Sequence, residues 1–106
     1  DFNAETGTAV VAAADGVVLS AAYQGDFGNM VDVDHGDGLT TRYAHLSRMN
    51  VKAGSLVKRG ERIGAVGSTG RSTGAHLHFE VRMLGVAQNP AHFLKQGQEF
   101  ALVKRR

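Results

Sequence analysis

"NMVDVDHGDGLTTRYAHL", residues 29–46, reads as a chain that reverses on itself: two runs of alternating apolar and polar residues flank Gly36-Asp37-Gly38. Successive side chains of a strand point to opposite faces, and a Gly-rich tripeptide between two such runs supplies the positive φ of a tight reversal. Val31 and Val33 then share one face and Asp32 and Asp34 the other, the pattern of a half-buried antiparallel strand. In the second run the alternation puts His45 on the face of Thr41 and Tyr43, opposite Ala44 and Leu46, where it would face the same cleft as His76 and His78 if the two strands are neighbours. A hairpin with a dry side and a wet side is expected.

The neighbouring stretches follow the same grammar. "TAVVAAA" (8–14) and "GVVLSAA" (16–22) meet across Asp15-Gly16, which predicts another hairpin. "VKAGSLVKRGERIGAVG" (51–67) breaks short apolar pieces with Gly54, Gly60 and Gly64, as strands bending around a small barrel or sandwich do. "STGRSTG" (68–74) is a polar glycine loop that runs into "GAHLHFEVR" (74–82). There Leu77, Phe79 and Val81 form a core face, and His76, His78 and Glu80 line the other. No stretch sustains helical spacing; only "NPAHFL" (89–94) suggests a helical turn, capped by Asn89 with Pro90 first. The class is mainly all-β.

Composition narrows what such a chain does. With 106 residues, 42% of them hydrophobic, it forms one domain with a modest core. Its 14 glycines exceed the usual share of about 7%, which suits short strands and tight turns. A formal charge of +2, with basic residues dispersed except at Lys58-Arg59 and Lys104-Arg105-Arg106, gives no nucleic-acid footprint. The absence of cysteine excludes disulfides and thiolate metal sites. The longest apolar run, "AVVAAA" (9–14), falls far short of the roughly 20 residues of a membrane helix. The opening "DFNAETG", without an initiator Met, reads as a piece of something longer.

Two histidines on one strand face are either a polar sheet surface or half of a metal centre. A zinc site needs three or four donors, so a pair on one strand requires others from elsewhere. His35, at the mouth of the Gly36–Gly38 turn, and His92, beside Phe93, read as ordinary surface residues.

"GNMVDVDHGDGLTTRYAHLSRMNVKAGSLVKRGERIGAVGSTGRSTGAHLHFEVRMLG" (28–85) resembles the lysostaphin-type (LytM-like) zinc metallopeptidases, which cut peptide cross-links in bacterial peptidoglycan. "DFNAETGTAVVAAADGVV" (1–18) is similar to the opening of their catalytic domain, and "AQNPAHFL" (87–94) to its end. The resemblance implies compact antiparallel sheets in a barrel-sandwich or duplicated-hybrid arrangement, with an open groove and a zinc ion at its floor. It implies a catalytic domain over 1–94, incomplete at its N-terminus, and a basic tail over 95–106. Asp1 and His78 match zinc ligands; His45 and His76 match the two histidines that work on the reaction without binding metal.

The family has one further ligand, a histidine four residues before the aspartate, which an upstream part of the same protein is expected to supply. Without it, residues 1–106 are expected to bind zinc weakly and to be inactive. Ala9 and Ala75 stand where prolines are common in the family. The implied chemistry is zinc acting as a Lewis acid on the scissile carbonyl and on a water, with His45 or His76 as general base and the other aiding the oxyanion or the leaving amine. Ser72 and Thr73 either offer hydroxyls to a peptide backbone or belong to a solvated turn, and Asn29 is expected to satisfy loop backbone groups.

The implied partners are peptidoglycan stem peptides or cross-bridges, with no nucleic acid and no membrane span in this segment. The implied location is the cell envelope, periplasmic or extracellular. Two other readings stand beside this one. One is a non-catalytic domain of the same fold that activates other wall hydrolases. The other is a biotinyl- or lipoyl-type carrier suggested by 51–67, although neither Lys52 nor Lys58 sits at a methionine-flanked hairpin tip.

Overall fold

The computed structural model describes residues 2–72, 74–88 and 103–104. Its strands are β1 (Phe2–Asn3), β2 (Ala9–Val11), β3 (Gly16–Gln24), β4 (Gly28–Asp34), β5 (Leu39–Met49), β6 (Leu56–Val57), β7 (Arg62–Val66), β8 (His76–Met83), β9 (Val86–Gln88) and β10 (Val103–Lys104). A 3-10 turn covers Gly25–Phe27. All strand pairings are antiparallel, in the order β10-β2-β7-β5-β4-β3-β6, with β8 joining β5, β1 and β9. The expected mainly all-β class is what forms, a curled antiparallel sheet. Among the described residues no helix is long and apolar enough to cross a membrane.

The hairpin at 29–46 is β4 and β5, closed by His35 N–H to the Leu39 carbonyl at 2.8 Å and Leu39 N–H to the Gly36 carbonyl at 2.9 Å. Val31 and Val33 are fully buried, and Asp32 and Asp34 sit on the outer face, as the alternation requires. Leu77, Phe79 and Val81 of β8 line the same core with Leu46, Ile63 and Val66. Burying each such side chain contributes on the order of 1.5–3 kcal/mol, which fixes the register against a one-residue slip.

The expected hairpin across Asp15-Gly16 does not form. β2 pairs with β7 and β10, whereas β3 pairs with β4 and β6. A strand run beside an Asp-Gly turn is only a local signal; the buried Ala12 and Ala13 carry the chain inward instead. Ala12 N–H donates to the Glu61 carbonyl at 2.9 Å and Ala13 N–H to the Tyr43 hydroxyl at 3.0 Å.

His35 also departs from expectation, since its ring is bonded at both nitrogens. Nδ1 lies 2.7 Å from the Asp15 carbonyl and Nε2 2.7 Å from Thr41 Oγ1. A carbonyl only accepts, so Nδ1 carries the proton and Nε2 of a neutral ring accepts from Thr41. Thr41 then accepts from Tyr43, 2.7 Å away, and the Tyr43 oxygen accepts from Ala13 N–H. One directed thread of hydrogen bonds thus ties three chain segments together through the core. Burial pushes the Tyr43 phenol up to about 12, against the smaller opposing pull of its bonds to Thr41 and Ala13.

The region that positions the site is the middle of β5. Between the pairs Val31–Tyr43 and Asn29–Leu46, β4 has one residue, Met30, and β5 has two, Ala44 and His45. This is a β-bulge, and His45 adopts φ 60°, a left-handed conformation rare for a non-glycine residue. At the same point β5 exchanges partners: Leu39–Ala44 pair with β8, and Leu46–Met49 pair with β7. The sheet forks at His45. The helical turn expected at 89–94 and His92 lie outside the described residues.

Candidate functional site

Directly paired residues on adjacent strands share a face, so Arg42 lies with Glu80 and Ala44 with His78 on the outer side of β5 and β8. Uninterrupted alternation would send His45 inward, with Tyr43 and Phe79. The sequence expectation that His45 shares the face of Thr41 and Tyr43 is therefore corrected: those two side chains are in the core, and the bulge turns His45 to the other side. There its ring centroid is 5.1 Å from that of His76 and 5.8 Å from that of His78. Three histidines from two strands converge on one spot.

Each ring is oriented through one identified nitrogen. His45 Nδ1 lies 2.7 Å from the Thr69 carbonyl, and His76 Nδ1 lies 2.9 Å from the Gly74 carbonyl. Since carbonyls only accept, both rings hold their proton on Nδ1, and in the neutral state both carry a lone pair on Nε2. His78 is the reverse. Its Nε2 lies 2.8 Å from Glu80 Oε2, so the proton sits on Nε2 and the lone pair of the neutral ring on Nδ1. The site therefore mixes two tautomers.

The carboxylate that orients His78 is itself held. Arg82 Nε and Nη2 each approach Glu80 Oε1 at 2.8 Å, and Arg42 Nη1 stands 4.0 Å from the same atom. Burial alone would push the Glu80 carboxyl up, but the bonds and charges of His78 and Arg82 together hold it below its usual range. Arg42 grips Asp32 through two bonds of 2.8 and 3.0 Å and stacks over the Phe27 ring at 4.9 Å. Its bond to Asp32 outweighs desolvation and raises its pKa further above the ordinary guanidinium value. Phe27 in turn meets the His78 ring at 5.9 Å.

The loop 68–74 runs past the fork and supplies the two carbonyls that hold His45 and His76. It is pinned to the Gly25–Phe27 turn by Arg71 N–H to the Asp26 carbonyl at 2.8 Å. Gly28 and Gly70 touch there, both at positive φ, and a methyl group on either would run into the backbone of the other segment. The Ser72 hydroxyl donates to the Gly74 carbonyl at 2.7 Å and lies 3.3 Å from His76 Nδ1, so it meets the site from within the loop. Asn29 satisfies a strand rather than the expected loop backbone: Nδ2 donates to the Leu46 carbonyl of β5 at 2.9 Å. Thr69, Arg42 and Phe27 were not legible as site residues, because nothing in a polar loop or a charged strand face marks them. Glu80 was placed on the right face by period-two spacing alone.

Asp1 and Thr73 lie outside the described residues. Among the described residues no group of three or more His, Cys, Asp or Glu could hold a metal ion. The chemistry of His78 nevertheless suits a metal ligand, because a carboxylate on the far nitrogen fixes the tautomer and raises the basicity of the near one. A metal there would need donors beyond these three rings, and Asp1 has the right chemistry for one.

The profile described as "Peptidase family M23" matches residues 1–90. An "Uncharacterized metalloprotease" of Haemophilus influenzae is 52% identical over 91 residues, 85% of this chain and 19% of the relative. The "DD-carboxypeptidase/endopeptidase Mpg" of Neisseria meningitidis serogroup B is 50% identical over 90 residues, 85% of this chain and 21% of the relative. The "Peptidoglycan DD-endopeptidase ShyC" of Vibrio cholerae is 46% identical over 90 residues, with the same coverage of 85% and 21%. The chain thus spans about a fifth of the length of these curated relatives.

Among solved structures, the catalytic domain of the antimicrobial peptidase lysostaphin from Staphylococcus simulans superposes with a TM-score of 0.83 at 39% identity. The match covers 88% of this chain and 74% of that one. A zinc-containing peptidase from Vibrio cholerae matches with a TM-score of 0.69 at 43% identity, over 71% of this chain and 23% of that one.

Proposed function

The chain belongs to peptidase family M23, and from that premise we propose that it carries the active centre of a zinc-dependent endopeptidase that hydrolyses peptide cross-links of bacterial peptidoglycan. The observation that carries this reading is the convergence of His45, His76 and His78, with ring centroids 5.1 and 5.8 Å from His45. The names of the Neisseria and Vibrio relatives support the substrate class, and the zinc-containing neighbour supports the metal. From that substrate follows the proposed location, the cell envelope outside the cytoplasmic membrane.

In this reading Asp1 and His78 would hold the zinc, with the upstream histidine that the family resemblance calls for. A zinc held there would supply Lewis acidity for the scissile carbonyl and for the attacking water. His45 and His76 do the proton work. Both offer Nε2 lone pairs, so the ring nearer the attacking water accepts its proton there, while Nδ1–H stays on a backbone carbonyl. The protonated Nε2 is then the donor for the departing amine, so one atom serves both transfers. The second ring takes a proton from solvent at Nε2 before the attack, donates it as a hydrogen bond to the oxygen on which charge develops, and keeps it when the carbonyl reforms. Arg42, Glu80 and Arg82 keep His78 still while this happens.

The regulatory, non-catalytic alternative would require the imidazoles to be dispensable, and nothing in their arrangement favours that. The test is digestion of purified peptidoglycan by the protein carrying this chain and the upstream histidine. Cross-linked muropeptides should disappear by mass spectrometry, stop disappearing with a chelator, and resume on zinc addition. Cross-links that survive the zinc-loaded protein, or are cut equally with chelator present, would overturn the proposal.

A further inference from the structure

We propose that Thr69 is a positioning residue for His45: its hydroxyl and its carbonyl together clamp the bulge at which the sheet forks. The hydroxyl donates to the Leu46 carbonyl at 2.7 Å and accepts from Asn29 N–H at 3.1 Å. The carbonyl of the same residue accepts His45 Nδ1–H at 2.7 Å. Leu46 directly follows His45, and Asn29 is the cross-strand partner of Leu46, the first pair beyond the bulge. Thr69 thus bonds three consecutive elements of the distortion: the ring that protrudes from it, the carbonyl after it, and the strand opposite.

The consequence is chemical. A ring that accepts a proton at Nε2 must keep its own proton on Nδ1, and the partner of Nδ1 sets the tautomer. Here that partner is a backbone oxygen in a glycine-rich loop, a segment type that ordinarily moves. Two features fix it. Gly28 and Gly70 pack without side chains, and the Thr69 hydroxyl bolts the loop to β5 and β4. Removing the hydroxyl frees the carbonyl to drift. Leu46 O retains its bond from Asn29 Nδ2, so the strand keeps a partner at that position. Asn29 N–H loses its acceptor beside the bulge, so the effect should fall on the bulge and His45 rather than on the core. No metal contact is involved.

This inference rests on the reading of His45 as a proton-moving group, and the test separates the two. Thr69→Val, Thr69→Ala and Thr69→Ser are compared in the protein carrying the upstream histidine, on a soluble cross-linked muropeptide. Val and Ala should lower kcat by on the order of 10²-fold, the loss typical of a misplaced catalytic group, with KM and zinc content unchanged. Ser should restore kcat.

Nitrogen-15 shifts of the imidazoles provide a readout that does not need activity: His45 should be the Nδ1–H tautomer in wild type and in Ser, and a mixture in Val and Ala. A wild-type His45 protonated on Nε2 would overturn the proposal, as would Val and Ala variants that keep both kcat and tautomer. Failure of Ser to rescue would overturn it as well. Should His45→Ala remain active, the reading of His45 fails, while the tautomer comparison still decides the clamp.

Discussion

His78 Nε2 donates to Glu80 Oε2 across 2.8 Å, two residues apart on one face of β8. The strand repeat places the carboxylate beside the ring, and Arg82 and Arg42 keep the carboxylate from turning away. The bond presents Nδ1 as the electron-donating nitrogen. Glu80→Ala is therefore expected to weaken zinc binding about 10–100-fold, the usual cost of losing such an outer partner, and Glu80→Gln less. Competition against a chromophoric chelator measures this. Unchanged affinity in the alanine variant would show that the carboxylate does not set the ring.

Tyr43 is a structural counterpart buried on the opposite side of β5. Its phenol is raised to about 12 by burial, above the ordinary 10.0, so the unfolded chain releases that proton first as pH rises. The stability involved is fully present below pH 10 and is lost as pH climbs through about 12. With Tyr23→Phe leaving a single tyrosine, the phenolate absorbance should rise near pH 12 or together with unfolding. A step near pH 10 in a folded chain would contradict the burial argument. Tyr43→Phe should cost about 1–3 kcal/mol in urea denaturation, because Ala13 N–H loses its acceptor.

Gly28 tests the contact between the loop and the 3-10 turn. At φ 66°, with the Thr69 backbone against it, the position has no room for a methyl group. Gly28→Ala should destabilise by more than about 1 kcal/mol and lower hydrolysis while zinc stays bound. Circular dichroism melts and metal analysis on one preparation check both parts. A variant with wild-type stability and turnover would mean the loop is not held there.

How much of this was legible follows the range of each interaction. Val31, Val33, Leu77, Phe79 and Val81 declared their faces because a strand repeats every two residues, which is a local property. His45 meets His76 and His78 as neighbouring strands allow, but the bulge that turns it there was not legible, because it answers to a change of partner from β8 to β7 between Ala44 and Leu46, set by residues far away in sequence. The misread turn at Asp15-Gly16 has the same cause, since β7 outcompetes β3 for β2. His35 looked like a surface residue because its partners, the Asp15 carbonyl and Thr41, are supplied only by the folded sheet. Thr69 gave no signal at all. Its importance lies in what its two oxygens touch.

The division of labour among the three rings can be measured directly. His45→Ala, His76→Ala and His78→Ala are made in the protein with the upstream histidine, and zinc content and cross-link hydrolysis are read on the same samples. The account predicts that the first two keep equimolar zinc and lose at least about 10²-fold in rate, while the third loses the metal. Zinc lost from the His45 or His76 variant, or retained at full occupancy and affinity by the His78 variant, would contradict it.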